Sequence, residues 1–296
     1  MFKNIQCFKL NASWNQNLEI AERNFNSNRF VECGLSQEES IGWIEPRGEK
    51  NGLLIEAISG QWIGKLMFES KILPNSVVKE NVEKIVARIE DSTGRKPGKK
   101  EKKEIAEDVR NDLLAKAFTK KSASFVWINT VENMLVIDTH SQCRADQIVT
   151  ALVKSIDSFV VTPIQTQTSS AVSMAHWLTT QDPPVGFTAD QDCILKSVDA
   201  TKASVKYAKH PLDIEEIRVH IANGKTPTQL AMTWDNRVSF VLTDTGLVKK
   251  INFLETAIQS KTESSFDADV ILATGELSKM IPAIVEALGG EVSVIN

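Results

Sequence analysis

Two helical stripes set one after the other between stretches of strand-like alternation constrain the fold of this chain most. Pro74 stands where a helix would open, because its fixed φ suits a first helical turn. Val78, Val82, Ile85, Val86 and Ile89 then repeat at helical spacing. Thr93-Gly94 and Pro97-Gly98 break the repeat, and Ile105, Val109, Leu113, Leu114 and Ala117 resume it. The expectation is a helical hairpin over residues 74–118, its tip at Arg95-Lys96-Pro97-Gly98-Lys99-Lys100.

On either side the apolar period falls to two, the period of strands. Residues 2–10 alternate as a strand, and a helix follows with Leu18, Ala21 and Phe25 on one face and Ser13 or Asn15 at its start. A turn-rich stretch around Gly42-Trp43-Ile44-Glu45-Pro46-Arg47-Gly48 leads to a hairpin, 53–58 and 62–73, joined at Ser59-Gly60. Beyond the helical pair a second hairpin is expected, 124–129 and 134–138, turning through Val131-Glu132-Asn133. An amphipathic helix with Ile148, Leu152 and Ile156 comes next. This order suggests a loose duplication around a helical insert.

Residues 162–170 are rich in Thr, Gln and Ser, and Gln181-Asp182-Pro183-Pro184 reads as a turn or linker, so a domain border is expected nearby. After it come a strand at 204–208 and a helix at 213–223, with Asp213 and Glu216 as a capping box and Gly224 as the stop. Three strands follow, 229–234, 238–242 and 247–253, turning at Asp235-Asn236 and Asp244-Thr245-Gly246. The last helix carries Leu277, Ile281, Ile284, Val285 and Leu288 and stops at Gly289-Gly290, and Pro282 inside it implies a kink or a late start. The fold class is α+β, with mixed helices and antiparallel sheets or hairpins. Three parts are expected: 1–73 plus 119–175 as a central α+β domain, 74–118 as a helical-hairpin tip insert, and 176–296 as a C-terminal α+β domain.

Charge is segregated on this frame. Residues 95–121 hold ten cations against five anions, a local +5, so the rest of a chain of net charge −4 carries −9. An acidic body with a basic segment suits a polyanion on one face. The plainer account is a solvated helix face laced with i,i+4 ion pairs. No apolar run is long enough to span a bilayer and no signal-peptide core is visible, so a cytoplasmic protein is expected. Cys7, Cys33, Cys143 and Cys193 form no C-x-x-C pair, which fits free, mostly buried thiols.

Catalytic patterns are scarce. His140, His176, His210 and His220 are scattered without metal-ligand spacing, and His176 beside Trp177 reads as a core or partner-contact residue. There is no phosphate-binding glycine loop and no nucleophile elbow, and Thr274-Gly275-Glu276 reads as a helix start or bend. Asp267 and Asp269 form a D-x-D pair that a metal-dependent nuclease would use if other carboxylates converged on it. The plainer account is a capped helix start beside Phe266. Trp14, Trp43, Trp62, Trp127, Trp177 and Trp234 suit core packing better than a base-stacking platform.

Several segments resemble the bacterial RdgC family of recombination-associated proteins. They are Gly42-Trp43-Ile44-Glu45-Pro46, Lys71-Ile72-Leu73-Pro74, Trp127-Ile128-Asn129-Thr130-Val131, Phe266-Asp267-Ala268-Asp269, Thr274-Gly275-Glu276-Leu277 and Leu288-Gly289-Gly290-Glu291. Their order and spacing run nearly end to end. The resemblance implies a ring-shaped homodimer that encircles double-stranded DNA with little sequence preference, is not an enzyme, needs no cofactor or metal, and restrains RecA near the nucleoid. It points to Phe118 as an anchor in the partner subunit, with a plain core phenylalanine as the alternative. Lys116, Lys120 and Lys121 are expected to present charge from one element, joined on DNA by Arg95, Lys99, Lys100, Lys206, Lys209, Lys225 and Arg237. Around Lys209 the run Tyr207-Ala208-Lys209-His210-Pro211 is less basic than the family leads one to expect. A nuclease using Asp267 and Asp269, or a protein-interaction scaffold without a DNA role, are the alternatives.

Overall fold

The computed structural model describes residues 1–296 except 12, 15, 200, 201, 213, 259–264 and 293–296. Among the described residues it is an α+β fold of seven helices and one large antiparallel sheet. The first part runs β1 (Ile5–Leu10), α1 (Leu18–Ser27), β2 (Glu39–Ile44), β3 (Ile55–Ile58), β4 (Gln61–Lys71), α2 (Asn75–Thr93), α3 (Lys99–Lys116), β5 (Thr119–Asn129), β6 (Met134–Asp138), α4 (Gln142–Ser155) and β7 (Val161–Pro163). The second runs α5 (Ser170–Thr180), β8 (Phe187–Ser197), β9 (Ser204–Tyr207), α6 (Ile214–Ala222), β10 (Lys225–Trp234), β11 (Val238–Thr243), β12 (Val248–Phe253) and α7 (Phe266–Ala287).

The strands line up as β2-β4-β5-β6-β1-β12-β11-β10-β8-β9, with β3 beside β4 and β7 beside β1. The two sets of strands meet at a single β1–β12 pair, Ile5 opposite Val248. Alternation on the N-terminal strands supplies both faces. Trp62, Leu66, Val126 and Ile128 pack with Ala21 and Phe25 of α1 and Ile148 and Leu152 of α4. Ile63 and Trp127 face the other way, into a second core with Leu277, Met280 and Ile281 of α7 and Leu230, Phe240 and Leu242 of the C-terminal strands. Helix α7 therefore packs across the seam between the two sets of strands, and Arg47 adds an ion pair to its Asp267 at 2.6 Å.

Local chemistry explains the element boundaries. Helix α1 is capped by Asn17, whose side chain accepts from the Ile20 N–H, rather than by Ser13, and Asn15 lies outside the described residues. Helix α2 follows Pro74 as expected and ends at Gly94 with φ 68°, a left-handed cap that glycine adopts without a Cβ clash. Both expected hairpins are present, although β5 starts five residues before 124, at Thr119, and pairs with β4 along its whole length. Of the expected turn-rich stretch 42–48, Gly42-Trp43-Ile44 end the edge strand β2, while residues 45–48 bend away irregularly with Gly48 at φ 84°. Strand β2 lies so close to residues 29–30 that a Cβ on Gly42 would fall within 3.0 Å of their backbone.

The C-terminal part departs further from expectation. Of the Thr/Gln/Ser-rich stretch 162–170, residues 162–163 belong to β7, 164–169 are connecting chain, and Ser170 opens helix α5, which Ser169 caps and which buries Ser170 and Ser173. The strand β8, not anticipated at all, pairs with β10. Helix α7 is continuous from Phe266 through Pro282, so the late start does not occur and Thr274-Gly275-Glu276 is helix interior. The pair Asp267 and Asp269 does lie in a capped first turn, with Ser265 accepting from the Ala268 N–H. Asp213, expected to cap α6, lies outside the described residues. Five of the tryptophans are buried and Trp234 is half-buried against the core, as expected for packing residues. The thiols are less buried than expected: Cys193 is buried, Cys7 and Cys33 are half-buried and Cys143 is exposed. His176 is exposed and so is not a core residue.

Candidate nucleic-acid interface

The basic segment begins on helices that bury little. Helix α2 has no buried residue, its stripe of Val78, Val82, Ile85, Val86 and Ile89 being only half covered. Helix α3 buries Val109 and Leu114. Both are laced with exposed i,i+4 pairs, Lys84–Glu80 at 2.6 Å, Lys103–Glu107 at 3.7 Å and Lys100–Glu104 at 4.0 Å. At the tip, Arg95 makes two hydrogen bonds to Glu101, at 2.8 and 3.1 Å. The Glu101 carboxyl is held below its usual range by that guanidinium. The plainer account of this charge, a solvated face of paired side chains, thus describes Arg95 and Lys100 well. Such exposed pairs contribute little to stability.

Phe118 does not lie on α3. The helix ends at Lys116, Ala117 is its C-cap, and Phe118 occupies the joint before β5. Its carbonyl accepts from the Ile72 N–H at 2.7 Å, which closes the base of the two helices. The side chain is 84% exposed, so the alternative of a plain core phenylalanine is excluded. Ile72 and Val77 are also exposed.

The three lysines expected on one element are split as well. Lys116 is in the last turn of α3, where a cation suits the dipole. Lys120 and Lys121 are consecutive on β5 and so point to opposite faces. Lys121 is engaged with Glu32 and, at 3.8 Å, with Glu69. Glu32 raises its ammonium above the usual lysine range. Glu69 is 3% exposed and also accepts the Cys33 N–H at 2.7 Å, a bond that holds its carboxyl below the usual carboxylate range.

On the C-terminal strands, Lys206 is exposed on the face of β9 opposite Val205 and Tyr207, which pack into the core. Lys209 is exposed, with φ 51°, and its backbone N–H donates to Asp192. Lys225 is half-buried at the start of β10. Arg237 is committed elsewhere. Its guanidinium forms a two-pronged pair with Glu276 of α7, at 2.7 and 2.6 Å, and a third bond to the Thr256 carbonyl at 3.1 Å. Arg237 holds the Glu276 carboxyl well below its usual range. Sequence reasoning misses this clamp because Glu276 lies thirty-nine residues from Arg237 and reads as part of a helix start or bend. The only available signal was a glutamate amid an apolar helical stripe.

Six of the ten expected contacts, Lys99, Lys116, Lys120, Lys206, Lys209 and Lys225, therefore have no ion-pair partner among the described residues. The acidic pair does not build a metal centre: Asp267 is held by Arg47, and among the described residues no three His, Cys, Asp or Glu side chains converge. No described helix is long and apolar enough to cross a membrane.

These features define an α+β protein with one large antiparallel sheet, an under-buried pair of helices and exposed unpaired lysines. A family model described as "Putative exonuclease, RdgC" matches residues 1–291. The chain is 39% identical over 300 residues to a protein of Dechloromonas aromatica named recombination-associated protein RdgC, covering 98% of each chain. Proteins of the same name from Herminiimonas arsenicoxydans and Bordetella pertussis are each 38% identical, again over 98% of both chains. The chain belongs to the RdgC family, whose members bear a recombination-associated name.

Proposed function

We propose that this chain binds double-stranded DNA without sequence preference as a ring-shaped homodimer, without catalysing a reaction, and restrains RecA-mediated recombination by occupying the duplex. The observation that carries the reading is Phe118, a large apolar side chain left 84% exposed at the base of a helical pair whose own stripe is half covered. A second subunit would cover it, as buried aromatics anchor interfaces. Helices α2 and α3 serve as the insert at residues 74–118 that reaches the partner. The division into three parts is kept as part of this proposal, with its last border placed before Ser170, because residue 176 lies inside α5.

Lys99, Lys116, Lys120, Lys206 and Lys209 would supply phosphate contacts, being exposed and free of ion pairs among the described residues. Contacts of that kind give affinity without sequence information. Arg95, Lys100 and Lys121 would contribute only by exchanging a carboxylate for a phosphate, and Arg237 is assigned to the fold. The test is a double reversal, Lys116→Glu with Lys120→Glu, measured on several unrelated duplexes. The expected result is an equal loss of affinity on all of them, and a loss confined to one sequence would overturn the reading. The exonuclease description of the matched family keeps a second reading in view. Incubating labelled duplex with the protein and Mg²⁺ or Mn²⁺ decides it, since shortening of the DNA that Asp267→Asn or Asp269→Asn abolishes would establish a nuclease.

A further inference from the structure

Between α1 and β2 the chain passes over the ends of β4 and β5 as an acidic strap, residues 31–38, which holds Glu32 and Glu38 and no cation. Its fastenings are polar. The Cys33 N–H donates to the Glu69 carboxylate of β4 at 2.7 Å, and the Cys33 thiol lies 3.8 Å from the Glu69 carbonyl oxygen. Lys71, at the end of β4, donates through Nζ to the Gly34 and Leu35 carbonyls, each at 2.7 Å. Arg110 of α3 reaches the Glu38 carboxylate through Nε at 2.8 Å and Nη2 at 2.7 Å. Lys121 of β5 pairs with Glu32.

Apolar packing adds little to these bonds. No residue of 31–38 is buried and only Cys33 is half-buried. Val31 and Leu35, the side chains that could have anchored the segment, are 72% and 74% exposed. A segment with so few buried apolar contacts opens locally for much less than the cost of global unfolding. Arg110 and Lys121 both belong to the basic segment 95–121. With the strap closed, Lys71, Arg110 and Lys121 are held by strap carboxylates and carbonyls, and with it lifted only Glu69 stays beside Lys121. Exposed ion pairs are weak and are screened by salt, so phosphates can replace these carboxylates.

We propose that residues 31–38 form a displaceable anionic strap, which occupies Lys71, Arg110 and Lys121 in the free protein and yields them to a chain of phosphates such as the backbone of a duplex. For its natural partner this rests on the DNA reading above. Three cations on three elements must be re-paired together, so a polyanion opens the strap and a single small anion does not. Cys33 reports the state of the strap. Burial, with the Glu69 carboxylate beside it, pushes its thiol above the usual cysteine range, and the thiolate is the form that reacts.

The test alkylates the full chain with iodoacetamide and reads Cys33 by peptide mass spectrometry. It is run in low salt with the protein alone, with a short duplex, with long-chain inorganic polyphosphate, and with orthophosphate at matched ionic strength. Duplex and polyphosphate are expected to speed labelling of Cys33 several-fold, and orthophosphate is not. Glu32→Gln with Glu38→Gln is expected to label fast in every condition and to bind duplex about fivefold more tightly, the worth of two exposed ion pairs. Glu19→Gln with Glu49→Gln removes the same charge from exposed residues that make no ion pair among the described residues, and should do neither. Bound duplex that leaves Cys33 labelling unmoved, or slows it as a merely covered surface would, overturns the strap while the DNA reading stands. Equal tightening in the Glu19 and Glu49 variant also overturns it, as does labelling that neither polyanion speeds. A duplex that fails to bind while polyphosphate speeds labelling refutes the DNA reading and upholds the strap.

Discussion

Arg237→Ala separates a structural arginine from a DNA-contacting one. The guanidinium makes three hydrogen bonds, two to Glu276 and one to the Thr256 carbonyl. The Glu276 side chain is 8% exposed and that of Arg237 25%. Removing the arginine leaves a buried carboxylate beside α7 with no countercharge. Breaking a buried pair in this way costs about 3–5 kcal/mol, and the partial exposure of Arg237 places it near about 3 kcal/mol. At about 2 °C per kcal/mol for a chain of this size, Tm should fall by about 6 °C. The sign with pH follows from Glu276. Its folded pKa is depressed by Arg237, so the pair's stabilisation is present above the unfolded carboxylate pKa and is lost as pH falls through the folded value. The deficit of Arg237→Ala relative to wild type should therefore be full at pH 7 and shrink in acid below about pH 4. Calorimetric melts at both pH values and anisotropy on duplex DNA form the assay. Replacing both partners, Arg237→Met with Glu276→Leu, should recover most of the loss, as apolar pairs substitute well for buried ion pairs. An unchanged Tm together with weakened DNA binding would refute this assignment and return Arg237 to the DNA-contacting set.

Phe118→Ala should leave the monomer's Tm within about 1 °C, since the side chain is 84% exposed, while sedimentation shows a shift toward monomer. A large fall in Tm with an unchanged oligomeric state would contradict its role as an anchor. Lys121→Glu should lower the midpoint of urea melts through repulsion with Glu32 and the buried Glu69, whereas Lys120→Glu should not. Equal melts for the two variants would mean that Lys121 is not held by these carboxylates. Gly42→Ala should cost about 3 kcal/mol or more, because its methyl group would collide with the backbone at Arg29 and Phe30 and no side chain can move aside. A soluble variant with wild-type Tm would show that residues 29–30 shift freely.

Much of the frame was legible where one physical signal dominated. The helical stripe after Pro74, the left-handed stop at Gly94 and the two alternating hairpins carried their own punctuation. What escaped had signals in conflict. Helix α5, between the Thr/Gln/Ser-rich stretch and the Gln181–Pro184 turn, carries no clear apolar stripe, because Ser170 and Ser173 serve as small buried residues on its inner face. Strand β8 reads Phe-Thr-Ala-Asp-Gln-Asp, its polar side chains standing on a largely exposed stretch. The joint at Phe118 reads as helix because Ala115-Lys116-Ala117 continues the helical composition past the point where the backbone turns extended. For the interface, residue type identified candidate cations, but their partners lie far away in sequence: Glu276 for Arg237, Glu32 and Glu69 for Lys121. Only the tertiary fold separates committed cations from available ones.

The central claim is that unpaired lysines on a dimer hold duplex phosphates. Fluorescence anisotropy of a labelled short duplex across a salt series tests it most directly. Binding is expected whose log affinity falls linearly with log salt, about 0.9 per phosphate neutralised, with a slope that decreases by close to that amount for each of Lys116 and Lys120 reversed. No binding at low salt, or a slope unmoved by those reversals, would contradict it.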